Sequence, residues 1–276
     1  MTIHTALRQG ARLLEEAAVG APRLTAEVLL CHALGKERSW LFSHPEQELT
    51  ETSWIHYGRY LYERLQGKPT QYITRRQEFY GRHFLVTQAV LIPRPETEHV
   101  VETVLRVAPS FGRCLDIGAG SGAIGITLQL ESRGEVIATD VSRPALAVAA
   151  ENSRELGADV RFVVGDLAEA FTPCAFDLVV SNPPYVPDGE RSVLQREIRD
   201  YEPALALFGG PTGIEIYERL IRSAARVLRP GGRLVVEIGY KAEAAVLALL
   251  GSQWNDISVT PDLAGWPRVV SARLRP

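Results

Sequence analysis

The 276-residue chain has few of the residues that mark redox, metal-binding or disulfide-rich proteins. Its only cysteines are Cys31, Cys114 and Cys174, which lie far apart and form no C-x-x-C or Cys/His ligand spacing. The six histidines show no metal-ligand spacing either. We therefore expect no metal site, and free, mostly buried thiols in a reducing compartment.

Long apolar runs and a strong charge of one sign are also missing. Every apolar stretch is interrupted by Gly, Pro or a charged residue before it reaches the roughly 20 residues that span a bilayer. The first residues lack the basic and apolar segments of a secretory signal. The formal net charge of -3 demands neither a nucleic acid nor a membrane. We expect a soluble, cytoplasmic, monomeric protein with no stable nucleic-acid or membrane partner.

The apolar pattern divides the chain into a helical front and a longer second part. In residues 1–70 leucines, isoleucine and valine recur at helical spacing in two segments that Pro22 and Gly35 punctuate, and 54–65 is a third helical candidate. This pattern predicts a small helical domain. Residues 71–95 predict a linker that contains a β-hairpin around Gly81 and Arg82, followed by a proline-stiffened extended passage.

Residues 96–276 alternate short apolar strands with helical stretches. The strand candidates are Arg113–Ile117, Val136–Asp140, Val160–Gly165, Phe176–Ser181, Arg233–Ile238, Ile257–Pro261 and Val269–Leu274. Helical patterns separate the first five, which indicates an α/β fold with a parallel sheet covered on both faces. The last two have no helix between them and predict a hairpin at the sheet edge. The expected architecture is a seven-stranded, mostly parallel, Rossmann-like sheet.

The first of these strands runs into a glycine-rich loop that opens a helix. Without Cβ atoms, the backbone can turn sharply there and approach a ligand. Such a loop holds phosphates or a small zwitterionic cofactor, or it is merely a tight strand-to-helix turn. The predicted cofactor loop consists of Gly118, Ala119, Gly120, Ser121 and Gly122. Its G-x-G-x-G spacing lacks the third glycine of dinucleotide-binding loops and favours a cofactor without a pyrophosphate.

Acidic residues end the next two strands. Asp140, 22 positions after Gly118, can accept hydrogen bonds from both hydroxyls of a ribose, or it can cap the following helix. Asp166 and Leu167 end the third strand, where an acid commonly reaches an adenine amino group and its neighbour packs on the ring. A helix cap is again the alternative for Asp166.

The fourth strand ends in the sequence SNPPY at 181–185. Methyl transfer from a sulfonium to an amide or aromatic amino nitrogen requires a delocalised lone pair to become available. The side-chain carbonyl of Asn182 and the backbone carbonyl of Pro183 can accept hydrogen bonds from the two N–H groups and favour a pyramidal nitrogen. Pro184 stiffens the backbone and Tyr185 offers a flat face for stacking. The alternative is a proline-rich turn with no chemical role.

Several longer motifs resemble the release factor glutamine N5-methyltransferases of the PrmC/HemK type. These motifs are DIGAGSGAI (116–124), SNPPYVP (181–187), EPALAL (202–207), PGGRLVVEIG (230–239), LIPRPETE (91–98), GKPTQYI (67–73), DLAG (262–265) and RVV (268–270). The resemblance covers nearly the whole chain. One departure is Arg75, which stands where the family usually has Gly.

The resemblance implies a class I S-adenosylmethionine-dependent methyltransferase fold over 96–276. It implies S-adenosyl-L-methionine as the donor, S-adenosyl-L-homocysteine as its product, and the glutamine of the Gly-Gly-Gln motif in class 1 peptide chain release factors as the acceptor. It also implies that the helical domain, 1–70, binds the release factor. The cofactor would contact the glycine loop, Asp140, Asp166, Leu167 and Asn182, and the catalytic and substrate-binding residues would be Asn182, Pro183, Pro184 and Tyr185.

The main alternative function is methylation of adenine N6 in a nucleic acid, because such enzymes share the Asn-Pro-Pro-Tyr motif. The first 88 residues hold 11 Lys and Arg against 9 Asp and Glu, a weak positive charge for a domain that grips nucleic acid. A nicotinamide-dependent oxidoreductase would explain the glycine loop but not 182–185. A binding module without activity would not need the full series of cofactor residues.

Overall fold

A computed structural model describes all residues from 1 to 276. The helices, in chain order, are α1 (Ile3–Glu16), α2 (Pro22–Leu34), α3 (Arg38–Ser43), α4 (Glu51–Leu65), α5 (Thr70–Thr74), α6 (Glu98–Val107), α7 (Ala123–Glu131), α8 (Arg143–Leu156), α9 (Arg196–Tyr201), α10 (Glu215–Val227) and α11 (Glu243–Leu249). The strands are β1 (Arg76–Phe79), β2 (Arg82–Leu85), β3 (Arg113–Ile117), β4 (Glu135–Asp140), β5 (Val160–Val164), β6 (Phe176–Ser181), β7 (Val186–Pro187), β8 (Phe208–Gly210), β9 (Leu228–Glu237), β10 (Trp254–Pro261) and β11 (Pro267–Leu274).

The chain forms two compact units. The first, the helical unit, comprises Met1–Arg76 together with Gln195–Tyr201. The second, the sheet unit, comprises Gln77–Leu194 and Glu202–Pro276. The predicted β-hairpin is present as β1 and β2, with Tyr80 and Gly81 in left-handed backbone conformations at its turn.

The helical unit follows the predicted pattern of helices and breaks. The Thr2 side chain caps α1 by accepting a hydrogen bond from the Thr5 N–H. Pro22 begins α2, and Gly35 ends it with a φ of 63°, a conformation suited to glycine. Arg75 ends α5 with a φ of 59°, a left-handed conformation that glycine adopts more readily than other residues.

A segment distant in sequence completes the helical unit. Helix α9 belongs to it, and Glu197 in α9 forms an ion pair of 2.5 Å with Arg64 in α4. The Tyr201 hydroxyl donates a hydrogen bond to the Gln66 carbonyl. The sequence shows no sign of this membership, because α9 is short, has no buried residue and begins 117 residues after the end of β1.

The sheet unit contains the predicted seven-stranded sheet, in the order β10-β11-β9-β6-β3-β4-β5. β3 pairs in parallel with β4 and β6, β4 with β5, and β6 with β9. β11 pairs antiparallel with both β9 and β10, which confirms the predicted hairpin edge. The strand order reverses between β3 and β6, from which the chain continues to opposite sides of the sheet, and ligands of open α/β sheets bind at such a switch.

Hydrophobic cores cover both faces of this sheet. Alternate residues of each strand point to opposite faces, so Leu115 joins a core with α10 and α11, whereas Cys114 joins a core with α6, α7 and α8. The central strands are buried on both sides, which is why they read as continuous apolar runs.

Four strands begin earlier than the sequence predicts, β4 and β11 by only one and two residues, and β9 and β10 by five and three. β9 begins at Leu228 instead of Arg233, and β10 at Trp254 instead of Ile257. In β9 an irregularity in the pairing with β6 accommodates Pro230, Gly231 and Gly232. Proline and glycine normally end strands, and the bulge that tolerates them here depends on the neighbouring strand. β10 likewise has an irregularity between Asn255 and Ser258.

The three cysteines are less buried than the sequence analysis predicts. All three cysteines are free, but only Cys114 is buried; Cys31 is half-buried and Cys174 is exposed. The expectation of mostly buried thiols is therefore wrong, because Cys174 lies in a turn before β6.

No helix has both the length and the apolar character needed to cross a membrane.

Two glycines in the helical unit provide a matched test of its packing. A Cβ on Gly10 in α1 would overlap the hydroxyl of Tyr57, a fully buried ring, whereas a Cβ on Gly58 in α4 would meet nothing. We expect Gly10→Ala to destabilise the protein by about 1–3 kcal/mol through overpacking. Gly58→Ala should stabilise it by about 0.5–1 kcal/mol through helix propensity. Urea unfolding measures both, and a Gly10→Ala protein as stable as its parent would contradict this packing.

Candidate active site

A cavity of about 310 Å³ lies in the sheet unit at the carboxyl ends of the parallel strands. It has the size of a small-ligand site. Among the residues singled out from the sequence, those that line it are Gly118, Ala119, Gly120, Ser121, Asp140, Asp166, Leu167, Asn182, Pro183 and Pro184. Gly122 and Tyr185 lie outside the lining. The structure thus brings together side chains from four separate strand ends.

The glycine loop is held against the end of β4. The backbone N–H groups of Gly118 and Ala119 both donate to the carbonyl of Thr139, at 2.8 and 2.9 Å. Gly118 and Gly120 have positive φ angles of 76° and 54°, which glycine adopts without strain. A Cβ on either would meet nothing within 4 Å, so both face open space beside the cavity.

Gly122 serves the start of α7 instead of the cavity wall. It is the residue before the helix, with a φ of 82°. A Cβ there would lie 2.6 Å from the Cδ1 atom of Ile126 and 3.2 Å from Ala149. Close packing of the loop against α7 and α8 therefore requires glycine at this position.

Asp140 connects the loop to the start of α8. One carboxylate oxygen accepts a hydrogen bond from Gly120 N at 2.9 Å, and the other accepts one from Ser142 N at 2.8 Å. Each oxygen keeps a second acceptor position. Ser142, whose hydroxyl accepts from Ala145 N, is the residue that caps α8. The carboxylate of Asp140 is thus oriented by backbone donors and retains capacity for a ligand.

A second carboxyl group, missed from the sequence, lies beneath the loop. Asp116 in β3 is buried, and its Oδ2 atom accepts a hydrogen bond from Gly125 N in α7 at 2.9 Å. Burial raises the pKa of Asp116 to about 7, the bond from Gly125 opposes this rise, and the charge of Asp140 adds to it. The Oδ1 atom has no hydrogen-bond partner. An acid two residues before the glycine loop was the available sequence signal.

The end of β5 is positioned by neighbours from two other elements. Asp166 forms a 2.5 Å ion pair with Arg219 of α10, which also lines the cavity. The hydroxyl of Thr139 donates to the Leu167 carbonyl at 2.9 Å. Leu167 has a φ of 50°, so this bond holds the backbone in a sharp turn. Arg219 was not singled out from the sequence, because nothing local distinguishes it from other helical arginines.

The Asn-Pro-Pro-Tyr segment leaves β6 at the edge of the cavity. The Ser181 hydroxyl donates to the Ile117 carbonyl at 2.7 Å, which binds the end of β6 to the end of β3. The Asn182 side-chain amide nitrogen donates to the Thr97 hydroxyl at 3.1 Å. A Cβ on Gly209 of β8 would lie 2.5 Å from the carbonyl oxygen of Pro184. The proline pair is therefore packed closely against the following chain.

Tyr185 is half-buried beside the cavity. Its ring lies on Gly239, where a Cβ would be 2.7 Å from the ring. Burial raises the pKa of the Tyr185 hydroxyl to about 12, and the nearby charge of Glu237 contributes. The ring packs against the core on the α10 side of the sheet. Stacking of Tyr185 on a substrate stays a prediction.

Residues of the LIPRPETE and EPALAL motifs meet at the cavity. Arg94 forms a 2.5 Å ion pair with Glu202, whose other carboxylate oxygen accepts a hydrogen bond from Ile92 N at 3.2 Å. The Glu202 side chain is almost fully buried. Arg94 and Pro203 both line the cavity. These contacts join residues more than 100 positions apart, so no local pattern indicates them.

Both halves of the chain match models of known protein families. The family model for the PrmC N-terminal domain matches residues 5–74, and the model for the methyltransferase small domain matches 97–212. A release factor glutamine methyltransferase of Koribacter versatilis (strain Ellin345) is 46% identical over 277 residues, covering 99% of each chain. One of Bacillus subtilis (strain 168) is 38% identical over 282 residues, covering 98% of this chain and 97% of the relative.

Solved structures agree on the fold. A methyltransferase from Pyrococcus furiosus aligns with a TM-score of 0.55 and 18% identity, covering 71% of this chain and 91% of that one. The T. thermophilus 16S rRNA N2 G1207 methyltransferase, solved with AdoMet and guanosine, aligns with a TM-score of 0.53 and 21% identity, covering 72% and 50%. These likenesses establish a methyltransferase fold, and the full-length relatives establish the narrower group: the chain belongs to the release factor glutamine methyltransferase family.

Proposed function

We propose that this chain transfers a methyl group from S-adenosylmethionine to the side-chain amide nitrogen of the glutamine in the Gly-Gly-Gln motif of class 1 release factors. The observation that carries the proposal is the position of Asn182. It lines the same cavity as the glycine loop and Asp140, and its amide nitrogen is already engaged by Thr97. Its carbonyl oxygen is therefore available to a substrate.

The residues at the loop fit a nucleoside with an amino-acid tail. Gly118 and Gly120 leave open space where Cβ atoms would lie, and Asp140 keeps an acceptor position on each oxygen. Asp140 would accept hydrogen bonds from the ribose hydroxyls, and the segment at Asp166 and Leu167 would hold the adenine. When bound, S-adenosylmethionine supplies an electrophilic methyl group on a sulfonium. Because the sulfonium already makes this methyl group electrophilic, no charged side chain in the cavity is needed to activate it.

The chemistry required of the protein is orientation of a poor nucleophile. The carbonyl oxygens of Asn182 and Pro183 would accept hydrogen bonds from the two N–H groups of the glutamine amide. Both contacts favour a pyramidal nitrogen whose lone pair is directed at the methyl group. The nitrogen then loses one proton to water, because the methylated form is strongly acidic. No strong general base is needed, and no group of metal-ligating side chains takes part.

We also propose a role for the predicted helical domain, residues 1–70, within the helical unit: binding of the release factor outside the Gly-Gly-Gln motif. The match of residues 5–74 to the PrmC N-terminal domain supports this division. The weak net charge supports a protein partner over a nucleic acid. We place the reaction in the cytoplasm and the active form as a monomer.

The cofactor assignment predicts a loss of affinity in Asp140→Ala. The substitution leaves two ribose hydroxyls without acceptors and frees the Gly120 N–H, so binding of S-adenosylhomocysteine should weaken by about 1–3 kcal/mol. Asp159→Ala is the matched control, because Asp159 is an exposed acid at the amino end of the neighbouring strand. Calorimetry measures both, and unchanged affinity in Asp140→Ala would show that the ribose lies elsewhere.

The catalytic assignment predicts a different effect for Asn182→Ala. Its contact with the glutamine amide strengthens as the nitrogen becomes pyramidal, so its removal acts mainly on the transition state. The single-turnover rate of release factor methylation should fall roughly 10²-fold or more, while affinity for S-adenosylhomocysteine changes little. A variant that methylates release factor at nearly the parent rate would make Asn182 a structural turn residue and overturn the mechanism.

A further inference from the structure

We propose that Thr97 and Glu237 are positioning residues that hold the amide of Asn182 with its oxygen toward the substrate. The inference rests on the proposed function and deepens it. It explains how Thr97 engages the Asn182 amide and gives a role to Glu237; the two side chains lie in separate motifs, LIPRPETE and PGGRLVVEIG.

Three side chains form a continuous hydrogen-bonded series behind the cavity. The Asn182 amide nitrogen donates to the Thr97 hydroxyl at 3.1 Å, and the Thr97 hydroxyl donates to the Glu237 carboxylate at 2.7 Å. β6 and β9 are parallel neighbours in which Ser181 pairs with Val236. Asn182, the residue after β6, and Glu237, the last residue of β9, therefore lie at the same level of the sheet. Thr97, at the start of α6, hydrogen-bonds to both.

The number of protons in this series determines the orientation of the amide. A threonine hydroxyl has a single hydrogen, and an ionised carboxylate can only accept. Since Thr97 gives its hydrogen to Glu237, it can only accept from Asn182. Asn182 must then present its NH2 group to Thr97, and its carbonyl oxygen takes the opposite side. The terminal torsion of an asparagine is otherwise broad and nearly two-fold, so the series selects the reactive orientation.

Burial makes this selection firm. Glu237 is 1% exposed and Thr97 is 4% exposed, so water does not compete for either group. The end of β9 is also fixed, because the Tyr217 hydroxyl donates to the Glu237 backbone carbonyl and accepts from Gly239 N, both at 3.1 Å. A buried carboxyl group is unfavourable unless it is hydrogen-bonded, and Thr97 supplies that bond.

Protonation of Glu237 would remove the selection. A protonated carboxyl can donate to the Thr97 oxygen, and the Thr97 hydrogen is then free to donate to the oxygen of a rotated Asn182 amide. Burial raises the pKa of Glu237 to about 7, while the bond from Thr97 and the charge of Arg268 oppose the rise. The titratable or charged groups that face it are Arg94, Glu96, Tyr185, Tyr217 and Arg268. The orienting, ionised form therefore predominates above about pH 7 and is lost below it.

Substitution of Thr97 separates orientation from packing. Thr97→Val keeps the shape and removes the hydroxyl, whereas Thr97→Ser keeps the hydroxyl and removes the methyl group. At saturating S-adenosylmethionine we expect Thr97→Val to lower the single-turnover rate on a release factor about 10-fold or more, and Thr97→Ser to remain within about threefold of the parent. Affinity for S-adenosylhomocysteine should be unchanged in both.

The pH profile provides a readout that a purely structural role would not change. The parent rate should rise as pH increases through about 7. This rising limb of the pH–rate profile should be absent from Thr97→Val and from Glu237→Gln. The second substitution is isosteric and removes the titrating group. A limb caused by another buried acid, such as Asp116, would persist in the variants. If Thr97→Val does not fold, Glu237→Gln carries the test.

Different results would contradict the proposed function and the orienting role of Thr97 and Glu237. A parent protein that does not methylate release factor contradicts the proposed function. A parent that methylates, with Thr97→Val equally fast, or with Thr97→Val and Thr97→Ser equally slow, contradicts the orienting role and leaves the function standing. A pH limb that persists in Glu237→Gln contradicts it as well.

Discussion

Parallel pairing of β3 with both β4 and β6 is the constraint on which the site depends. It brings the residues after each strand to one edge of the sheet, so that Gly118, Asp140 and Asn182 meet although they are far apart in the chain. Hydrogen bonds then lock these ends to one another: Gly118 to Thr139, Gly120 to Asp140, and Ser181 to Ile117. The part of the cavity formed by these strand ends is therefore a product of sheet topology.

Two buried carboxyl groups support the site from beneath. Asp116 holds α7 under the glycine loop, and Glu237 is bonded through Thr97 to Asn182. Burial raises the pKa of each to about 7. Because these values exceed those of the unfolded chain, the native state binds more protons and stability falls as pH rises from about 4 to about 7. Ionised Glu237, the form that orients Asn182, therefore lowers the stability of the fold, as is common for functional groups.

The sequence predicts the fold more completely than the site. Alternating strands and helices are local patterns, and all seven strands of the sheet were predicted, with errors at β9 and β10 where bulges admit residues that normally end strands. The glycine loop and Asn182 are also local signals. The links Thr97–Glu237 and Arg94–Glu202 span 140 and 108 residues. Such pairs exist only after the sheet forms, and neither a polar side chain nor its motif reveals its partner. The place of α9 in the helical unit was missed for the same reason.

The most direct test of the account is tandem mass spectrometry of a class 1 release factor after incubation with the protein and S-adenosylmethionine. The account predicts one added methyl group on the side chain of the glutamine in the Gly-Gly-Gln motif, and faster labelling of the intact factor than of a short peptide that carries the motif. An unmodified glutamine, or a methyl group found on another residue, would contradict it.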